Sequence, residues 1–191
     1  MKIAILGWGS LLWDARPEFD THHGAWELDG PMLPIEFCRV SETRGGALTL
    51  VIDEEFGVAC TCAFAISTRK YPDDAIADLR RREGTSLAHI GHYFADGTRQ
   101  QCRIANIPIT LKAWARTKGI DVVVWTDLAS NFEAKSTIKK HFSVINAIAH
   151  LQLLSPEAKA KAAEYIWRAP AQVDTPLRRA VQTEPWFMTR S

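Results

Sequence analysis

The residues of this 191-residue chain whose types and spacing could do chemistry are the run Gly7-Trp8-Gly9-Ser10-Leu11, a glutamate at position 83 and six histidines. Two glycines one residue apart let successive backbone N–H groups turn into one concavity, because neither resists positive φ. Such a nest takes a carboxylate or a phosphate. A dinucleotide loop would need G-x-G-x-x-G, but Leu12 stands where the third glycine belongs and Pro17 breaks the next stretch of chain. The plain alternative is a tight turn with no ligand.

Glu83 closes the run Arg80-Arg81-Arg82-Glu83-Gly84. Arginines in a last helical turn complement the negative end of the helix dipole, so their presence has a structural reason. A carboxylate there is opposed by roughly 0.3 to 1 kcal/mol, and the same field makes it a better base. The remaining candidates carry less. His89-x-x-His92 in a strand faces opposite sides and lacks a third ligand, so no metal site is expected. His22, His23, His141 and His150 have no assignable partners. Ser10 lacks the G-x-S-x-G flanks of a nucleophile elbow. Trp8 and Trp13 flank the glycine loop as apolar walls would, whereas Lys135, Lys139, Lys140 and His141 read as a solvated helix face.

The elements that must position these groups are set by periodicity. Lys2 to Leu6 reads as a strand stopping at the glycine loop, with an irregular stretch after it to about Trp26. Ile35 to Ser41 and Ala47 to Ile52 read as a hairpin turning at Arg44-Gly45-Gly46. Gly57 to Ile66 reads as a third strand, with Val58, Cys60, Cys62, Phe64 and Ile66 on one face. Tyr71-Pro72-Asp73-Asp74 starts a helix that ends at Glu83-Gly84. Strands are expected at His89 to Phe94, Gln101 to Ile107 and Ile120 to Trp125, with a short helix from Leu111 to Lys118. Beyond Asp127 the spacing of Ile138, Phe142, Ile145, Ile148, Ala149 and Leu153 is helical. Ser155-Pro156-Glu157 and Asp174-Thr175-Pro176 start two further helices.

A strand-rich first two-thirds and a helical last third argue for α+β. The length suits a single domain over 1–191, with a helical C-terminal extension from about 130. Lys plus Arg at 23 against Asp plus Glu at 22 excludes a polyanion, and so nucleic acid, as the main partner. The apolar run Ile3 to Leu6 is too short for a signal and none is long enough for a membrane span, so a cytoplasmic protein is expected. In that compartment Cys38, Cys60, Cys62 and Cys102 are small side chains for packing, with no disulfide or zinc framework.

Taken in order, Gly7 to Leu11 after a first strand, Ser41 with Arg44-Gly45, Gly57-Val58-Ala59-Cys60, Arg82-Glu83 and Gly91-His92-Tyr93 resemble the γ-glutamylcyclotransferase-like superfamily, toward its ChaC-like branch. The likeness covers roughly the first 95 residues. It implies a small mixed β-barrel with flanking helices and a cofactor-independent and metal-independent reaction. In that reaction the amides of Gly7, Trp8, Gly9, Ser10 and Leu11 hold the α-carboxylate of a γ-glutamyl group, with Ser41 and Arg44 also on the substrate side, and Glu83 is the general base. The α-amine attacks its own γ-carbonyl and releases 5-oxoproline with an amine or amino acid, as in glutathione metabolism. Trp8 and Cys60 stand where the family has tyrosines. The second function class is a non-catalytic member that binds a small carboxylate-bearing ligand. The helical tail, outside the likeness, has two open roles: covering the pocket, or joining two copies as a homodimer.

Overall fold

The computed structural model describes residues 1–187. In chain order its strands are β1 (Ile3–Gly7), β2 (Met32–Ser41), β3 (Ala47–Ile52), β4 (Val58–Thr61), β5 (Ala63–Ile66), β6 (Ile90–Phe94), β7 (Gln100–Gln101) and β8 (Val122–Thr126). The helices are α1 (Pro17–Asp20), α2 (Pro72–Glu83), α3 (Ile107–Lys118), α4 (Phe132–Lys135), α5 (Val144–Gln152), α6 (Pro156–Arg168) and α7 (Pro176–Val181). The class is α+β. Among the described residues the strands form a five-stranded and a three-stranded sheet and no closed barrel. The chain divides into two compact units, Met1–Leu33 with Thr61–Leu128, and Pro34–Cys60 with the residues from Ala129 onward. No helix among the described residues is long and apolar enough to cross a membrane.

The first unit holds the sheet β5-β1-β8-β6-β7. β1 lies parallel to β8 (Ile3 beside Val122, Ile5 beside Val124) and antiparallel to β5. All five residues of β1 are buried, which is why its sequence is an unbroken apolar run and does not alternate. One face packs Ile3, Ile5, Ile90, Phe94, Val122 and Val124 against Ala75, Ile76 and Leu79 of α2. On β5, Phe64 meets Trp114 of α3 edge to face at 5.0 Å. The β5 edge is covered by the stretch from Gly24 to Pro31, whose backbone bonds to Ile66, Phe64 and Cys62 at 2.8 to 2.9 Å. A covered edge cannot recruit a foreign strand.

The second unit holds the sheet β3-β2-β4. The β2–β3 hairpin forms as the sequence predicts, and Gly45 and Gly46 adopt φ of 68° and 96° in its turn. Side chains at helix starts accept the first free amides: Ser143 from Asn146, Ser155 from Ala158 and Thr175 from Arg178. α6 packs on β3, and Tyr165 meets Phe37 of β2 edge to face at 6.2 Å.

Four expectations need correction. The strand from Gly57 to Ile66 is two strands in different sheets, interrupted at Cys62, whose N–H and C=O bond to Pro31 and Gly30. The strand at Gln101 to Ile107 is reduced to Gln100–Gln101, and α3 starts at Ile107 with Pro108 in its first turn. Helical spacing from Ile138 to Leu153 gives helix only over Val144–Gln152, because Ser143 caps a start there. The stretch after Gly9 is not wholly irregular: Ser10–Leu12 forms a 3₁₀ turn and Pro17–Asp20 a single helical turn.

Candidate functional site

β1 delivers Gly7 to the end of the sheet, and the chain turns at once into the Ser10–Leu12 turn. Leu12 N–H donates to the Gly9 carbonyl at 3.0 Å and Asp14 N–H to the Ser10 carbonyl at 2.8 Å. The first amides of a helical turn have no acceptor inside it, and those of Gly9, Ser10 and Leu11 occupy that position. The glycines serve differently from the expected nest. Gly9 sits at φ −134° and neither it nor Gly7 is among the residues with positive φ. Gly7 is needed for close approach: a Cβ there would lie 2.7 Å from Leu12 Cδ1 and 2.9 Å from the Trp26 ring. Trp8 is buried, and Leu11 packs against the core beneath α2.

Glu83 is the last residue of α2, and Gly84 comes next in the left-handed conformation at φ 60°. That ending matches the sequence reading, since glycine is the residue that turns a chain out of a helix without strain. Two of the three arginines before it do more than balance a dipole. Arg82, whose side chain is only 5% exposed, donates through Nη2 to the carbonyls of Asp14 at 2.9 Å and Ser10 at 3.3 Å, and lies 3.5 Å from the Asp14 carboxylate. Arg81 and Arg69 both donate to the buried Asp78 carboxylate, Arg69 through two nitrogens at 2.6 and 3.0 Å. Arg82 therefore ties the last turn of α2 to the glycine loop, and Glu83 shares that turn. The Glu83 side chain is 20% exposed, with Oε1 3.8 Å from Arg82 Nη1. A carboxylate acceptor and the first amides of a helical turn are the two kinds of group that a zwitterion needs at its two ends, and Arg82 bonds the helix end that carries the one to the loop that carries the other.

Ser41 and Arg44 belong to the second unit. There Ser41 Oγ shares a hydrogen bond with Thr43 Oγ1 at 3.2 Å, and the Arg44 guanidinium lies 5.1 Å from the centre of the Tyr165 ring. Cys60 is 2% exposed and burial raises its thiol above the ordinary range, which suits packing and not nucleophilic attack. His92 of β6 is also buried, and burial together with the Arg99 charge lowers its pKa. Among the described residues no three His, Cys, Asp or Glu side chains are grouped to hold a metal ion.

The sequence reading missed Arg82 as a positioning group, and it missed the end of β8. Because β8 runs parallel to β1, Thr126 and Asp127 reach the same end of the sheet as Gly7. Thr126 Oγ1 and Asp127 Oδ1 are buried without a hydrogen-bond partner among the described residues. Strand pairing between residues more than a hundred positions apart leaves no local signal.

Comparison of the chain with protein-family models, with curated proteins and with solved structures finds no match.

Proposed function

We propose that this chain is a γ-glutamylcyclotransferase-type enzyme acting on a small γ-glutamyl compound. The observation that carries the reading is the pair of hydrogen bonds from Arg82 to Ser10 and Asp14, which holds the Glu83 turn against the Gly7 to Leu11 loop. The likeness in motifs between Gly7 and Tyr93 supports it. In this reading the five-stranded sheet with α2 is the site-bearing part of the barrel-like fold that the likeness implies.

The loop amides take the α-carboxylate of the substrate. Glu83 removes a proton from the α-ammonium group, and the freed amine forms a bond to the γ-carbonyl carbon. The tetrahedral species collapses by breaking the bond to the leaving nitrogen, which receives the proton from Glu83, while the attacking nitrogen gives up its second proton to the freed carboxylate, leaving the lactam N–H; the released amine takes up that proton. One ring closes, one amide bond breaks, and the carboxylate is regenerated. Because nucleophile and electrophile belong to one molecule, holding it folded supplies much of the rate advantage. The reading places the protein in the cytoplasm, and its four free cysteines suit that reducing compartment.

Incubation of the full chain with γ-glutamyl amino acids, γ-glutamyl amines and glutathione, with chromatographic detection of 5-oxoproline, tests the proposal and names the leaving group. Saturable binding of these compounds without 5-oxoproline would replace the enzyme with a carboxylate-binding protein.

A further inference from the structure

We propose that the hydroxyl of Thr126 donates a hydrogen bond to the γ-carbonyl oxygen of the substrate as that oxygen takes up negative charge. The inference rests on the cyclotransferase reading and supplies a group which that reading lacks: the loop amides take the α-carboxylate and Glu83 moves protons, so the γ-carbonyl oxygen has no donor.

Thr126 is the last residue of β8. Alternate residues of a strand share a face, so Thr126 lies on the side of Val122 and Val124, which pack against α2. The β1–β8 register sets Ile3 beside Val122 and Ile5 beside Val124. Continued by two residues, it brings Thr126 beside Gly7, where the loop leaves the sheet. α2 reaches the same end. Its stripe of Ala75, Ile76 and Leu79 on the sheet continues at helical spacing through Arg82 and Glu83, and Arg82 bonds to Ser10 and Asp14 of the loop. All of these residues belong to the first unit.

Two polar atoms at that end, Thr126 Oγ1 and Arg82 Nε, are buried with no hydrogen-bond partner among the described residues. A buried polar atom left unmatched opposes folding, and proteins keep such atoms chiefly where function uses them. An N–H can only donate and a hydroxyl can donate, so an oxygen acceptor is what both lack. The Arg82 charge favours an oxygen that is or becomes anionic and disfavours the substrate's ammonium group there. Asp127 Oδ1, also unmatched at this end, belongs to a carboxylate that already accepts the Arg103 N–H through Oδ2 at 2.6 Å and lies 4.0 Å from Arg103 Nε. As the ring closes, the γ-carbonyl oxygen becomes the negative oxygen of the tetrahedral species, and a donor fixed beforehand favours that state over the ground state. The hydroxyl keeps its proton throughout, so the balance of the reaction is unchanged.

Thr126→Val keeps the shape of the side chain and removes the donor, and Thr126→Ser restores the donor. Steady-state 5-oxoproline release by the full chain and both variants, with urea unfolding of each, tests the proposal. Thr126→Val should lower kcat about a hundredfold or more with KM little changed, and Thr126→Ser should recover most of it. The urea midpoint of Thr126→Val should be equal or higher, because no hydrogen bond inside the protein is lost. Unchanged kcat in Thr126→Val, or a raised KM at unchanged kcat, would overturn the proposal and leave the cyclotransferase reading standing. A lowered urea midpoint would also overturn it, by showing that the hydroxyl is bonded within the fold. No release by the native chain from any γ-glutamyl compound would overturn the reading and the proposal together.

Discussion

Arg82 donates a hydrogen bond to the Asp14 carbonyl at 2.9 Å across 68 residues of sequence, and so fixes where helix α2 ends relative to the loop after strand β1. Removing it as Arg82→Ala leaves the Ser10 and Asp14 carbonyls short of a donor and should cost about 1.5 to 3 kcal/mol, as for other hydrogen bonds from a charged group. Urea unfolding checks the magnitude. Arg82→Lys keeps the charge but not the planar fork. It should lower 5-oxoproline release by at least about tenfold, because Glu83 is no longer held against the loop.

Glycine substitutions separate two kinds of close approach. A Cβ on Gly91 would lie 2.1 Å from the indole of Trp125, which is fully buried, so neither side can move. A Cβ on Gly7 meets the end of the Leu12 side chain, which can rotate, although the Trp26 ring at 2.9 Å also resists. Gly7→Ala is expected to cost about 1 to 3 kcal/mol by overpacking, and Gly91→Ala more than that. Denaturant midpoints measured on both variants would contradict this if their order were reversed.

What the sequence disclosed depends on the range of each signal. The end of α2 at Glu83-Gly84 and the turn at Gly45-Gly46 are local chemistry, and the structure has both. The switch between sheets at Cys62 was invisible because apolar alternation continues through it, and only the bonds to Gly30 and Pro31 mark the change. The glycine loop stood out by composition, but the cause assigned to Gly7 differs: the Trp26 ring, not positive φ, requires it. Arg82 was legible as a helix-end cation and not as a tether, since its acceptors are main-chain carbonyls, which any residue supplies.

Buried Glu36 gives the second unit a pH dependence of definite sign. Its carboxylate is wholly buried, accepting from Phe37 N–H at 2.7 Å and from Leu177 N–H at 3.2 Å in the first turn of α7. Burial raises its pKa above the ordinary 4.5, and the Thr175 hydroxyl and those amides only partly offset that. The folded chain therefore binds the proton more tightly than the unfolded chain. This contribution is fully present below the ordinary carboxylate pKa and is lost as pH rises through the raised one. Glu36→Gln should abolish that part of the pH dependence in urea titrations run at a series of pH values, and an unchanged profile would contradict the assignment.

His141 should titrate above an ordinary histidine, because hydrogen bonds to Glu133 and then Glu55 favour its charged form. The stability it adds is present below the unfolded value and lost as pH rises through the raised one; with the ring exposed, that amount is small. Proton NMR of the ring should give a raised pKa in the native chain and a lower one in Glu133→Gln. Identical titrations would dissociate the two residues in solution.

The central claim is that Glu83 is the base of an intramolecular cyclisation. It is tested most directly by comparing 5-oxoproline release from γ-glutamyl compounds by the native chain and by Glu83→Gln, which preserves shape and removes the proton acceptor. Release by the native chain, with a loss of at least about a hundredfold in the variant, is the predicted result. Equal release by both folded proteins, or none by the native chain from any compound, would contradict it.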